Sequence, residues 1–205
     1  AQGSVFGAYR SIFTILAKPV FFLCTISFCC AFAAMMSYIA ASPFVGQSIL
    51  GMGQLPYALS FAAAASAIIL ANLINSRMAV HRGVGTMFRL GSVLLIIAAA
   101  SFVVMETTNS LSVPGFVVTA FVLTAGTGLT MSNSNALGLA EATPSTRGAG
   151  AAVMGAAQFL LASLVTPLVG VAGEHSATPM VVIIAVLVTI SVVTGALARR
   201  RLRAR

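Results

Sequence analysis

The chain has 205 residues, of which 59% are hydrophobic and only 7% are charged, with a mean hydropathy of +1.05. Soluble domains usually carry about a quarter charged residues, so this composition excludes a water-soluble globule. Apolar residues continue for about 20 positions at a time, as a membrane-spanning helix requires. They do not alternate with polar residues as in a membrane β-barrel. The composition therefore predicts an all-α membrane protein.

The net charge of +8 would suit a nucleic-acid partner, but the distribution of the charge does not. The basic residues form short clusters between apolar runs, with no accompanying aromatic surface, so we interpret them as signals of membrane topology. Cys24, Cys29 and Cys30 lie inside one apolar run, without the spacing of metal ligands or of a disulfide framework. We expect them to be small buried side chains, and we expect no metal or other cofactor.

Six apolar runs, taken in chain order, predict six membrane-spanning helices. They cover residues 19–43, 51–74, 86–105, 114–140, 148–172 and 178–198. Residues 1–18 would form a cytoplasmic N-terminal or central linker, residues 19–198 the six-helix bundle, and residues 199–205 a basic cytoplasmic tail. The first 18 residues lack the apolar core and cleavage site of a signal peptide, so we expect the chain to continue from a longer one.

The charged residues agree with an even number of spans. Under strict alternation every basic residue falls on one face of the membrane: Arg10, Lys18, Arg77, Arg82, Arg89, Arg147, Arg199, Arg200, Arg201, Arg203 and Arg205. The other face holds no Lys or Arg, only Glu106, Glu174 and His175. The positive-inside rule then places both termini in the cytoplasm. The bias towards Ala and Arg points to a bacterium, so we expect a multi-pass protein of a bacterial cell membrane.

Polar side chains at membrane depth mark a candidate internal cavity, because they are costly in lipid. Helical spacing groups them with apolar neighbours into stripes: Ser27, Ala31, Ala34 and Tyr38 on span one, Gln54, Phe61, Ala65, Ile68, Asn72 and Asn75 on span two, Thr124, Thr127, Gly128, Met131 and Asn135 on span four, and Gln158 on span five. Such a mixed lining suits weakly polar organic molecules better than ions. Alternatively, the amides only hydrogen-bond one helix to another.

A run of small residues opens span five and includes Gly148, Gly150 and Gly155. We expect close helix packing there, with a sliding interface as the alternative. No carboxylate lies at mid-membrane, so an acid that couples transport to protons would belong to another part of the protein. The two histidines, His81 and His175, fall on opposite faces, so neither a haem or metal pair nor a catalytic triad can form, and we expect no enzyme.

Four stretches resemble the C-terminal six helices of the Bcr/CflA type of drug exporter, a group of the major facilitator superfamily. They are YIAASPFVGQSILGMG (38–53), NLINSRMAVHRGVGTMFRLG (72–91), GTGLTMSNSNALGLA (126–140) and RGAGAAVMGAAQFLLAS (147–163). Their order and spacing follow the family from about Lys18 to Arg199. The resemblance implies two six-helix bundles related by a pseudo-twofold axis, with the substrate site between them at mid-membrane.

The resemblance also implies the activity and the partners. These are export of small-molecule drugs driven by proton influx, a lipid bilayer, and an N-terminal six-helix half. The cavity wall is then expected at Tyr38, Asn72, Thr127, Met131, Asn133, Asn135 and Gln158. Arg77, Arg82 and Arg89 would form a basic gating loop whose arginines pair with helix ends, or would only set the topology. The rival hypotheses are another carrier of the superfamily, for a sugar, amino acid or siderophore, and a self-contained six-helix dimer.

Overall fold

The computed structural model describes residues 5–171, 173 and 176–204, with side chains from residue 10 onward, so Glu174 and His175 lie outside the described residues. Seven α-helices make up most of this part: α1 (Val5–Leu16), α2 (Pro19–Pro43), α3 (Gln54–Arg82), α4 (Val84–Thr107), α5 (Val113–Ala140), α6 (Arg147–Val165) and α7 (Thr178–Arg203). A π-helical turn, Phe44–Ile49, continues α2, and a 3₁₀ turn, Thr166–Gly170, continues α6.

The helices α2 to α7 are each long and apolar enough to cross a membrane, which confirms the predicted all-α fold with six spans. Three of them have a proline at the first or second position, at Pro19, Pro114 and Pro179. A proline is tolerated there because its missing N–H would have no acceptor within the helix. These three prolines therefore begin helices, whereas Pro43 is the last residue of α2.

The segment from Arg77 to Arg89 was predicted to be a loop, and this prediction is wrong. The helix α3 continues past residue 74, through Arg77 to Arg82, and Gly83 alone separates it from α4, which contains Arg89. Gly83 has φ of 81°, a left-handed conformation that favours glycine. Hydropathy falls after residue 74, but it marks the edge of the apolar segment and not the end of the helix. For the same reason α7 continues into the basic tail as far as Arg203.

The helix α2 lies at the centre of the bundle, where it contacts α5, α6 and α7. In its most apolar 18-residue stretch 78% of the residues are buried. The helix α4 packs against α5 and α7, and α3 packs mainly against α5. The least buried spans are α3 and α6, at 22% and 17%. The six helices therefore form a packed centre with two peripheral members.

The basic ends of the spans lie together at one end of the bundle. The ammonium of Lys18, before α2, donates a hydrogen bond to the carbonyl of Glu141, after α5. The guanidinium of Arg199, near the end of α7, lies 5.2 Å from the ring centroid of Phe88, near the start of α4. At the opposite end the hydroxyl of Thr178 donates to the carboxylate of Glu106. This arrangement is the one that strict alternation of the spans predicts.

A reciprocal pair of hydrogen bonds joins α2 to α7 in the buried centre. The hydroxyl of Ser27 donates to the carbonyl of Ser191 at 2.8 Å, and the hydroxyl of Ser191 donates to the carbonyl of Ser27 at 2.9 Å. Beside them, a Cβ added to Gly195 would lie 2.7 Å from the ring of Phe88. Small residues therefore let α2, α4 and α7 approach closely, and the hydroxyls supply hydrogen bonds where lipid offers none.

Candidate functional site

A cavity of about 220 Å³ lies between α2, α3 and α5. Its wall is apolar except for two hydroxyl-bearing side chains, and it contains no charged residue: Met35, Tyr38, Ile39, Phe61, Ala64, Ala65, Ile68 and Thr124. The residues from α2 and from α3 are each spaced by three and four positions, so each set occupies one face of its helix. The cavity is suited to holding an apolar or aromatic molecule, with few groups that could bind a charge.

Aromatic rings support one side of this cavity. Tyr38 is only 2% exposed, and its ring centroid lies 5.8 Å from that of Phe116, on α5. Phe116 in turn lies 6.2 Å from Phe102, on α4. Ring pairs at these separations attract each other beyond the effect of burying their area. The ring of Tyr38 therefore packs against Phe116, which packs in turn against Phe102.

The hydroxyl of Thr124 already forms a hydrogen bond between α5 and α3. It donates to the carbonyl of Ala64 on α3 at 2.7 Å, and it lies 3.0 Å from the carbonyl of Ala120 in its own helix. Tyr38 is the other hydroxyl-bearing residue of the wall. Tyr38 lies on the face of α2 that also contributes Met35 and Ile39 to the cavity wall.

The predicted asparagines lie elsewhere, in a line of polar contacts between α3 and α5. Ser132 donates to Asn72 Oδ1 at 2.6 Å, and Asn133 Nδ2 donates to Asn75 Oδ1 at 2.8 Å. Between these bonds and the cavity, a Cβ added to Gly128 would lie 2.9 Å from the side chain of Ile68. Asn72 and Asn133 therefore hold two helices together and do not line the cavity. This is the alternative that sequence reasoning left open.

The other predicted cavity residues are also outside this wall. Thr127 is buried, and its hydroxyl oxygen has no hydrogen-bond partner among the described residues. Met131 packs against the apolar core, and Asn135 is half-buried on the same helix. Gln158, on α6, is half-buried, and its Oε1 has no partner within the described part of the chain. Of the seven predicted positions, Tyr38 alone lines the cavity.

Sequence reasoning missed the apolar members of the wall, Met35, Ile39 and Ala64. It did place Phe61, Ala65 and Ile68 on one face of span two, and all three line the cavity. Helical spacing could therefore define the face, but polarity was the wrong guide to which part of the face encloses space. Asn72 and Asn133 form hydrogen bonds between helices, whereas the unfilled volume lies beside apolar side chains.

The predicted packing glycines of α6 differ from one another. A Cβ added to Gly150 would lie 3.1 to 3.2 Å from the side chains of Leu139 and Phe21, so this glycine packs against α5 and α2. A Cβ at Gly148 or Gly155 would meet no described atom within 4 Å. Close packing within this bundle therefore applies to Gly150, while the surface that carries the other two glycines is open.

The basic residues predicted to gate or orient the protein are at the surface. Arg77, Arg82 and Arg89 are all exposed, on the last turns of α3 and the second turn of α4. Among the described residues no three His, Cys, Asp or Glu side chains come together in a way that could hold a metal ion.

The family follows from comparison with known proteins. The family model of the Major Facilitator Superfamily matches residues 4–167, which include α2 to α6. No curated protein matches the chain. A bundle of six membrane helices is the structural half of this fold. Because the match covers most of the 205 residues, the chain belongs to the major facilitator superfamily of membrane transporters.

Proposed function

We propose that this chain is the C-terminal six-helix half of a twelve-helix carrier that exports small-molecule drugs in exchange for protons. The observation that carries the proposal is the cavity beside Tyr38, whose wall is aromatic and aliphatic and holds no charge. Such a wall binds through apolar area and tolerates differently shaped molecules, whereas a sugar or an amino acid needs several fixed polar partners. The ordered resemblance to drug exporters supports the same choice.

The two peripheral helices, α3 and α6, support the assignment of this chain as one half of a twelve-helix carrier. Large apolar side chains on them remain exposed: Leu55, Leu59 and Leu73 on α3, and Phe159, Leu160 and Leu164 on α6. The cavity lies beside α3, so a second bundle that covered this side would also close the cavity. We place that second bundle, the N-terminal half, against α3 and α6, and we place the basic end of the bundle in the cytoplasm of a bacterium.

Proton coupling would rely on the other half. The two carboxylates in the described residues are Glu106 and Glu141, and both lie at helix ends. Glu106 accepts a hydrogen bond from Thr178, and Glu141 follows the last turn of α5. A coupling acid has to reach both sides of the membrane in turn, which residues at the membrane edge cannot do. The residues of this chain would bind the drug and follow the motion.

Transport by reconstituted protein tests the proposal. We expect the native gene product, in vesicles with an imposed proton gradient, to move a hydrophobic antibiotic such as chloramphenicol against its own gradient. The Phe61→Ala change should raise the KM for the drug severalfold, because it removes an aromatic face from the cavity wall. The matched control is Phe121→Ala, which removes the same ring, also 37% exposed, from a position on α5 outside the cavity wall. Gradient-driven uptake of a sugar, an amino acid or a siderophore, with no drug movement, would instead favour another carrier of the superfamily.

The open surface at Gly148 and Gly155 favours a second candidate, a self-contained six-helix protein that dimerises. The mass of the native product in its membrane separates the two. This segment alone is 20.9 kDa, so a product near twice that mass supports the missing half. A product near 20.9 kDa whose dimer is lost on Gly155→Leu would establish the dimer and contradict the exporter proposal.

A further inference from the structure

A second pocket, of about 270 Å³, opens at the basic end, between α4, α5 and α7. Its lining includes Gly85 and Thr86 from α4, Leu137 from α5, and Arg199 and Arg203 from α7. It is separate from the cavity beside Tyr38 and shares no residue with it. The pocket combines apolar side chains with two guanidinium groups, a pairing that the proposed transport function does not use.

The guanidinium of Arg199 is incompletely satisfied. One face lies over the ring of Phe88, at 5.2 Å from the centroid, which contributes a cation–π attraction. The NH1 nitrogen is buried and has no hydrogen-bond partner among the described residues. The side chain is also partly buried, and the nearby Arg89 and Arg203 add like charge. A buried donor surrounded by like charges is costly unless an anion completes the site.

The start of α4 adds further donors to the same pocket. The amides of Thr86 and Met87 donate to the carbonyl of Gly83, whereas those of Val84 and Gly85, in the first turn, have no acceptor among the described residues. Unpaired amides at a helix N-terminus favour a negative charge, and a phosphate is a common partner for them. Two elements, the end of α7 and the start of α4, thus present donors to one place.

An apolar groove beside the pocket bears on which phosphate-bearing molecule would fit. Below the pocket, α4 and α7 enclose an apolar groove of about 390 Å³, lined by Ile96, Ala100 and Val103 on one side and by Val192 and Thr189 on the other. From Arg199 to Val192 is seven residues, or about 10 Å along α7, well within the length of an acyl chain. The pocket would hold a headgroup and the groove a lipid tail, as basic sites between membrane helices do.

We propose that α4 and α7 bind one anionic phospholipid, with its phosphate against Arg199 and the start of α4 and an acyl chain in the groove beside Thr189. Arg89 and Arg203 supply additional positive charge. The site lies at the basic end of the bundle, where the headgroups of one leaflet are in reach. It is independent of which molecule the carrier transports.

Lipid binding to the delipidated native product in detergent tests the site, with phosphatidylglycerol and phosphatidylcholine titrated and bound lipid counted by native mass spectrometry. We expect phosphatidylglycerol to bind at least tenfold more tightly, and Arg199→Gln to remove this preference. The matched control, Arg200→Gln, removes the same charge from an exposed position one residue away and should bind as the wild type. Because Arg199 also packs on Phe88, the exposed Arg89→Gln provides a second variant, with an expected loss of about threefold.

The acyl groove has its own test. Thr189 is exposed and lines the groove, so Thr189→Phe should fill it and weaken phosphatidylglycerol binding at least fivefold while leaving the folded fraction unchanged. Glycerol 3-phosphate carries the phosphate without the tails and should compete only at much higher concentration. Equal affinity for glycerol 3-phosphate, with no effect of Thr189→Phe, would make the pocket a site for soluble phosphates. Wild-type binding by both arginine variants would overturn the site altogether.

Discussion

Two glycine-bearing surfaces of this bundle differ in how closely other helices pack against them. Between α4 and α5, a Cβ added to Gly91 would lie 2.8 Å from the backbone nitrogen of Thr130, and one added to Gly126 would lie 2.9 Å from that of Leu95. On α6, a Cβ at Gly155 would meet no described atom within 4 Å. Yet the sequence is far richer in small residues at the start of α6 than around Gly91.

The difference shows that the density of small residues does not locate a helix contact. Gly91 and Gly126 are needed because two backbones meet there, and a side chain between them would force the helices apart. The small residues of α6 leave a smooth surface that no described part of the chain covers. We therefore expect substitutions to separate a packed interface in the centre from an open surface at the periphery.

The largest effect is expected at the backbone contact. Gly91→Leu would place a side chain against the backbone of Thr130, which cannot rotate away, so the free energy of unfolding should fall by about 3 kcal/mol. Denaturant unfolding of the native gene product in detergent measures the loss. Gly155→Leu is the comparison variant. Its side chain would meet no described residue and would face only the second bundle that we place against α6, so its loss should be smaller than that of Gly91→Leu. Similar losses for the two variants would contradict this contrast.

An intermediate effect is expected where α3 meets α5. Asn133→Ala removes the hydrogen bond to Asn75 Oδ1 and should lower the free energy of unfolding by about 1 kcal/mol. A double-mutant cycle with Asn75→Ala isolates the pair, for which we expect a coupling near 0.6 kcal/mol. Additive losses in the cycle would show that the two amides do not interact in the membrane, and α3 would then be held by its apolar contacts alone.

The smallest effect is expected on α6. Gln158 Oε1 is buried and finds no donor in the described residues, so Gln158→Leu removes no hydrogen bond seen here. The free energy of unfolding should stay within about 0.5 kcal/mol of the wild type, or rise slightly, because an unsatisfied acceptor is replaced by an apolar group. Thermal unfolding of the native product measures the change. A loss of 1 kcal/mol or more would reveal a donor supplied from another surface.

The sequence was most informative about the membrane spans, because the bilayer sets their length and hydropathy. The first span was predicted at residues 19–43, and α2 has the same bounds because a long apolar run coincides with a proline at its start. The end of α3 was predicted eight residues early, since helix hydrogen bonds continue past the point where apolar residues stop. Chain length and hydropathy thus predict spans well and helix ends poorly.

The candidate site was predictable only in part, for a physical reason. Spacing of three and four places residues on a shared face, and it correctly grouped Phe61 with Ile68. It cannot say whether that face meets a helix or a space, which depends on how far apart the backbones lie. Asn133 forms a hydrogen bond with Asn75, whereas Tyr38 borders an unfilled volume. Arg199 was assigned to a tail because its burial depends on Phe88, more than a hundred residues earlier in the chain.

Gly83 is the single residue that connects α3 to α4, so the two helices are joined almost directly. Consecutive Cα atoms are about 3.8 Å apart, so the end of α3 cannot withdraw from the start of α4, but the two helices can change their angle about Gly83. If α3 tilts as its contacts with α5 rearrange, the first turn of α4 has to follow. A displacement beside the cavity would in this way be passed to the amides of Val84 and Gly85, at the membrane surface, without any flexible loop to absorb it.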